Sequence, residues 1–302
     1  EAATGQGLLH KTGGLYMGPA DSKLIAGALE ACKRHNLPYE LLNRESFETQ
    51  FGQHELPDDF QIFYENQAGF LLPETAVAAN AQQALVHGAQ LRGREGVKNW
   101  STTTRGVTVN TDKDTYHAQH VVITAGAWTS KLAADMGIPL NVTRQVQAWF
   151  APKQRDLFEM GTLPVWFYEV SGGHGFYGFP ILPATPGLKV ALHKPDTSTD
   201  PDAVNRNITD ADISEIESFM ADHLPSATGG LLSASVCLYT NSPDSHFVID
   251  RHPEFENVSV ACGFSGHGFK FSTVIGEALA DLASESKTEL PIGFLAARRF
   301  SS

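Results

Sequence analysis

The spacing of apolar and polar positions changes along the chain and divides it into blocks. Residues Gly14 to Met17 read as a strand and Ser22 to His35 as a helix, followed by extended runs at Phe60–Phe63 and Gly69–Leu72. A second helix starts at Pro73, whose fixed φ suits a first turn, and carries Val77, Ala81, Ala84 and Leu85 at helical spacing. Val107 and Val109 alternate as a strand, and the unbroken run Val121 to Thr124 predicts a fully buried one. From Val142 to Tyr239 the chain is rich in strands and aromatic residues, among them the strand Ser233 to Tyr239. A helix capped near Thr209, with Ile213, Ile216 and Met220 inward, interrupts this region. The last block has strands at Phe247–Ile249 and Val258–Ala261, then a helix with Ile275, Ala278, Leu279 and Leu282 on one face.

This alternation predicts an α/β plus α+β protein of two interleaved domains, the one at residues 1–72 and 141–238 built on a mixed β-sheet. Residues 1–72 and 141–238 form one domain, and residues 73–140 and 239–302 the other. With 302 residues, 42% of them hydrophobic and 19% charged, the chain can bury a core for both. No apolar run approaches the ~20 residues of a membrane span. A net charge of −12 argues against nucleic acid or an anionic membrane as partner. The expected setting is a cytoplasmic monomer. Cys32, Cys237 and Cys262 form neither a disulfide framework nor a metal motif, and Cys32 and Cys262 read as packing residues.

Residues 263–275, GFSGHGFKFSTVI, carry the strongest chemical signal. A glycine loop joins the strand ending at Ala261 to the last helix, so Gly263, Gly266 and Gly268 are expected where backbone approaches a ligand closely. The helix N-terminus aims free N–H groups at an anion, with Lys270 in its first turn. The spacing is not that of a P-loop. Scattered histidines without acidic or cysteine partners point away from zinc or iron.

Together with VVITAGAWT (121–129), GLKVALH (187–193) and ASVCLYTNSPDSHFVID (234–250), in this order, the loop resembles the monomeric sarcosine oxidase and N-methyltryptophan oxidase family of flavoprotein amine oxidases. The resemblance runs from KTGGLYMGP at residue 11 to the end. It implies an FAD-binding, Rossmann-like domain at 73–140 and 239–302 and a substrate domain at 1–72 and 141–238. It also implies oxidation of a secondary N-methyl amino acid, with oxygen as the second substrate and hydrogen peroxide as product.

The resemblance assigns roles residue by residue. Cys237 matches the cysteine bonded covalently to the flavin. Lys189 matches the lysine that lies over the flavin and helps activate oxygen, and Lys270 the one that binds the substrate carboxylate. His267 lies beside the flavin near the amine; Tyr177 and Tyr239 line the substrate cavity; His193 is matched with a less defined role. Cofactor contacts fall on Val97, on Ala125, Gly126 and Trp128 of the TAGAW segment, and on Gly266, His267, Gly268, Phe269 and Lys270.

The family's opening G-x-G-x-x-G turn has no match here, nor do its two early arginines. The expectation is that a dinucleotide-binding segment belongs in front of Glu1, and that residues 1–302 alone hold FAD poorly and do not turn over. Two other readings stand beside the oxidase. One is a flavin dehydrogenase passing electrons to a carrier; the other is a catalytically silent fragment or binding module.

Overall fold

The computed structural model describes residues 1–300 apart from Thr104, Gly172, Gly173, Ala184 and residues 194–196. The chain forms two compact units that take it in turns. One comprises Glu1–Ala79, Gln145–Lys194 and Asn205–Cys237; the other Asn80–Arg144, Pro195–Val204 and Leu238–Ser302.

Most of an eight-stranded sheet belongs to the first unit. Its order is Leu231–Asn241, Asn141–Phe150, Leu188–His193, His174–Phe179, Val165–Ser171, Gly14–Gly18, Gln61–Glu65, Glu40–Leu41. Val165–Ser171 runs parallel to Gly14–Gly18 while its pairing with His174–Phe179 is antiparallel, so the sheet is mixed, as expected. Strand residues alternate between faces, and one face is a closed core. Leu15, Met17, Ala148, Phe150, Trp166, Tyr168, Phe176, Leu188 and Val190 pack there with Phe47 and the helix Asp210–His223. That helix starts on a reciprocal capping box between Thr209 and Asp212 and buries Ile213, Ile216, Phe219 and Met220. Phe219 stacks on Phe176 with centroids 3.9 Å apart. The helix Lys23–His35 begins where Ser22 Oγ accepts the Ile25 N–H at 3.1 Å. Ser22 also donates to the buried carboxylate of Glu169.

The helix Pro73–Val86 forms where expected but turns a different face inward. Ala76 and Ala79 are buried, whereas Val77 is 59% and Leu85 54% exposed. The small alanines allow close approach, and the larger residues are left outside.

The second unit contains the three-stranded sheet Val248–Arg251, Val258–Cys262, Val121–Ile123. Every residue of the central strand is buried. In Val121–Ile123, Ile123 is buried with Val121 packed beside it on one face, while Val122 points to the other face and is 37% exposed; the expectation of a fully buried strand fails because only one of its two faces is covered. The helix Ser272–Ser284 lays Ile275, Leu279 and Leu282 on Phe247, Ile249 and Ala261, as its periodicity predicts. A meander of Val97–Thr103, Gly106–Thr111 and Thr115–Ala118 also belongs to this unit. Cys32 and Cys262 are buried, free thiols, and burial pushes Cys262 up to about 12. No helix among the described residues is long and apolar enough to cross a membrane.

Candidate active site

Register places the lysine of the GLK segment. Lys189 lies directly opposite Trp149 on one neighbouring strand and Phe179 on the other. Opposed residues in antiparallel strands share a face, so the three side chains rise together on the side away from the core. The ammonium accordingly sits 5.0 Å from the Phe179 ring centroid and 5.4 Å from that of Trp149. Among the described residues it makes no hydrogen bond or ion pair. Burial depresses its pKa, with the charges of Cys237 and Glu74 acting the other way. A cation held by two ring faces in place of a carboxylate keeps its field available for another negative charge.

The same face carries the other expected residues of this unit. Tyr177 is opposite Ala191, two residues beyond Lys189, and His193 is two further on. Tyr177 meets Phe179 edge-on at 6.0 Å and His193 at 6.5 Å, and Phe167 adds a contact to His193 at 6.1 Å. All are half-buried, in contrast to the closed opposite face. Cys237 is a free, half-buried thiol on Leu231–Asn241. Trp149, Phe179 and Phe167 have no signal in the sequence beyond being aromatic, because their part depends on register.

In the second unit the glycine loop folds as a link into the last helix, with one shift from expectation. Lys270 sits in a 3-10 turn, Phe269–Phe271, immediately before the α-helix Ser272–Ser284. The glycines are also required by packing within the chain itself. A Cβ on Gly266, which has φ +79°, would overlap the Tyr239 ring, and one on Gly268 would overlap Phe264. Their close approach is thus to side chains of the chain itself. Tyr239 is thereby fixed against the loop that carries His267. His267 lies over Phe247 with centroids 5.0 Å apart, and its Nε2 is 3.0 Å from the Ser245 carbonyl. Burial lowers its pKa first of all, and the carbonyl opposes that shift.

These residues fit the flavin that the resemblance implies. The last helix has no side-chain cap and no acidic residue in its first turn; the Ser272 N–H is taken by the Phe269 carbonyl of the preceding 3-10 turn, and the positive end of the helix beside Lys270 suits an anion. In the Ala125–Trp128 turn, Gly126 has φ +54° and open space where a Cβ would stand. Trp128 is 41%, Phe269 40% and Phe271 40% exposed, a supply of aromatic surface for a planar group. Val97 lies apart from that turn's sheet, at the start of the meander, and is exposed.

Two cavities of similar size lie in this unit. One of ≈ 490 Å³ is lined by Lys98, Trp100, Lys131, Asp135 and Phe255 and includes none of the expected site residues. The other, ≈ 480 Å³, is walled by Phe247, Phe271, Val274, Ile292 and Phe294 and includes His267 and Lys270. The chemistry accompanies the second, since it joins an apolar wall to a cation and imidazoles.

Comparison with known proteins shows the family. The model of the FAD dependent oxidoreductase family matches residues 1–282. The chain is 37% identical to monomeric sarcosine oxidase of Streptomyces avermitilis, over 100% of this chain and 79% of that protein. It is 30% identical to N-methyl-L-tryptophan oxidase of Salmonella dublin, over 96% of this chain and 77% of the relative. Among solved structures, the amino acid oxidase NikD, essential for nikkomycin biosynthesis, superposes with TM-score 0.81 at 26% identity, covering 96% of this chain and 77% of NikD. L-proline dehydrogenase from P. horikoshii, at 21% identity and TM-score 0.81, shares the fold over 97% of this chain and 77% of its own. These matches make the chain a member of the FAD dependent oxidoreductases, an amine oxidase of the group that includes the monomeric sarcosine and N-methyltryptophan oxidases.

Proposed function

We propose that this chain oxidises a secondary N-methyl amino acid, such as sarcosine or N-methyltryptophan, to the imine, and that oxygen is reduced to hydrogen peroxide. The observation that carries the reading is the ammonium of Lys189, held between Trp149 and Phe179 with no counter-ion hydrogen bond among the described residues, on the face that also bears Tyr177 and His193. Such a charge stabilises negative charge as it develops on oxygen, and a partly desolvated setting strengthens it. FAD, when bound, supplies the two-electron acceptor for the amine.

The remaining roles fall to binding and orientation. Lys270 and the positive end of Ser272–Ser284 suit a carboxylate, which fixes an amino acid by the group that does not react. Tyr177, Tyr239, His193 and His267 offer rings and hydrogen-bonding edges to the substrate. Cys237 is the residue for a thioether to the flavin.

The test is oxygen uptake with parallel peroxide assay on sarcosine and N-methyltryptophan. Amine-dependent uptake with equal peroxide release is expected. Dye reduction by amine without oxygen uptake would replace the oxidase with a dehydrogenase.

A further inference from the structure

The turn Ser242–His246 is tied to the end of the chain by a dense set of polar contacts. Arg299 Nε donates to Asp244 Oδ2 at 2.7 Å and its Nη2 to Oδ1 at 3.2 Å. The same guanidinium donates to the carbonyls of His246 at 2.9 Å, Leu295 at 2.8 Å and Ala296 at 3.1 Å. Asp244 also accepts from the His246 N–H and from Ser242 Oγ, both at 3.1 Å. These contacts, Arg299 first, hold its carboxyl well below the usual range.

Between Asp244 and His246 stands Ser245 with φ +59°, a region that a serine enters only at a cost. Such a conformation persists where surrounding contacts over-determine it, and the Arg299–Asp244 fork does so. The conformation matters because the Ser245 carbonyl is 3.0 Å from His267 Nε2. A carbonyl only accepts, so Nε2 must carry a proton. In the neutral ring Nδ1 is then the acceptor.

We infer that Arg299 and Asp244 are positioning residues for His267: their two-point clamp keeps Ser245 in the left-handed region, and its carbonyl fixes the imidazole as the Nε2–H tautomer. A lysine at 299 could supply charge but not the planar fork that meets both carboxylate oxygens and the carbonyls at once. The consequence for catalysis rests on the amine-oxidase reading of His267, whereas the tautomer does not.

The experiment is nitrogen NMR of the imidazoles in the full, histidine-labelled protein, with His267 assigned by the signal lost in His267→Gln. At a pH where the ring is neutral, the wild type should show a protonated, pyrrole-type Nε2 and a pyridine-type Nδ1. In Arg299→Lys and Asp244→Asn the two resonances should move toward each other as both tautomers become populated. Ser245→Gly keeps the carbonyl and tolerates positive φ, so the wild-type pattern should remain. An Nδ1–H tautomer in the wild type overturns the proposal whether or not any variant folds. An unchanged pattern in a folded Arg299→Lys or Asp244→Asn protein overturns the role of the clamp. The expected tautomer shifts in a protein that oxidises neither sarcosine nor N-methyltryptophan would sink the functional reading and leave the positioning intact.

Discussion

The ring of Tyr239 packs on the backbone of Gly266 so closely that a Cβ built on the glycine would lie 2.7 Å from ring atom Cδ2, with other ring atoms nearer still. Gly266 also has φ +79°. Gly266→Ala therefore meets two penalties, the left-handed backbone and the overlap, and should destabilise the protein by roughly 2 kcal/mol or more. Relief by moving Tyr239 would raise KM for the amine. Urea unfolding and steady-state kinetics check this; an unchanged midpoint with unchanged KM would mean the ring is not fixed by the loop.

Lys189→Met removes the charge and keeps most of the stem that fills the gap between Trp149 and Phe179. Reoxidation by oxygen should slow by orders of magnitude, each tenfold being about 1.4 kcal/mol of barrier, while reduction by substrate changes far less. Stopped-flow measurement of the two half-reactions separates them, and equal slowing of both would assign Lys189 to binding or structure. Because burial lowers the Lys189 pKa, the ammonium loses its proton below the ordinary lysine range. The oxidative half-reaction should accordingly weaken as pH rises, earlier than an exposed lysine would allow.

Cys237 is a free thiol close enough to Lys189 to influence its charge. With FAD bound through a thioether, acid precipitation should leave yellow colour on the protein, and Cys237→Ser should release the flavin to the supernatant. Complete release from the unsubstituted protein would rule the linkage out.

Much of the fold is legible in the sequence because local periodicity is strong where a single face is buried. The helix at Thr209 and the last helix show this: a cap, then apolar residues at helical spacing, each found inward. Legibility fails where exposure depends on neighbours in space. Val122 is exposed because the covered face of its strand is the one carrying Val121 and Ile123, and Val77 because alanines make the contact instead. The candidate site divides in the same way. Lys189, His267 and Lys270 stand out as charged or glycine-framed positions, but Trp149 and Phe179 become neighbours of Lys189 only through strand register. The Arg299–Asp244 clamp joins residues 55 positions apart, and no spacing rule connects them.

A second titratable group, packed against Trp166 of the closed core, is expected to set the acid response. His54 is 3% exposed, stands edge-on to Trp166 with centroids 5.0 Å apart, and has no hydrogen-bond partner at either ring nitrogen among the described residues. Burial, with His223 adding repulsion, lowers its pKa to about 3 from an ordinary 6.5. The unfolded chain therefore binds a proton below about pH 6.5 that the folded chain refuses until about pH 3, so stability falls as pH falls through that window. The full loss is on the order of 5 kcal/mol at most. His54→Phe keeps a ring against Trp166 and removes the titration. Its unfolding free energy should change less than that of the wild type between pH 6.5 and 4.5, a range above the onset expected for the Asp244 carboxylate, whose folded-state pKa lies below its ordinary 3.8. Urea unfolding of both proteins across that range decides the matter: parallel pH profiles would show that His54 takes up its proton in the folded state after all.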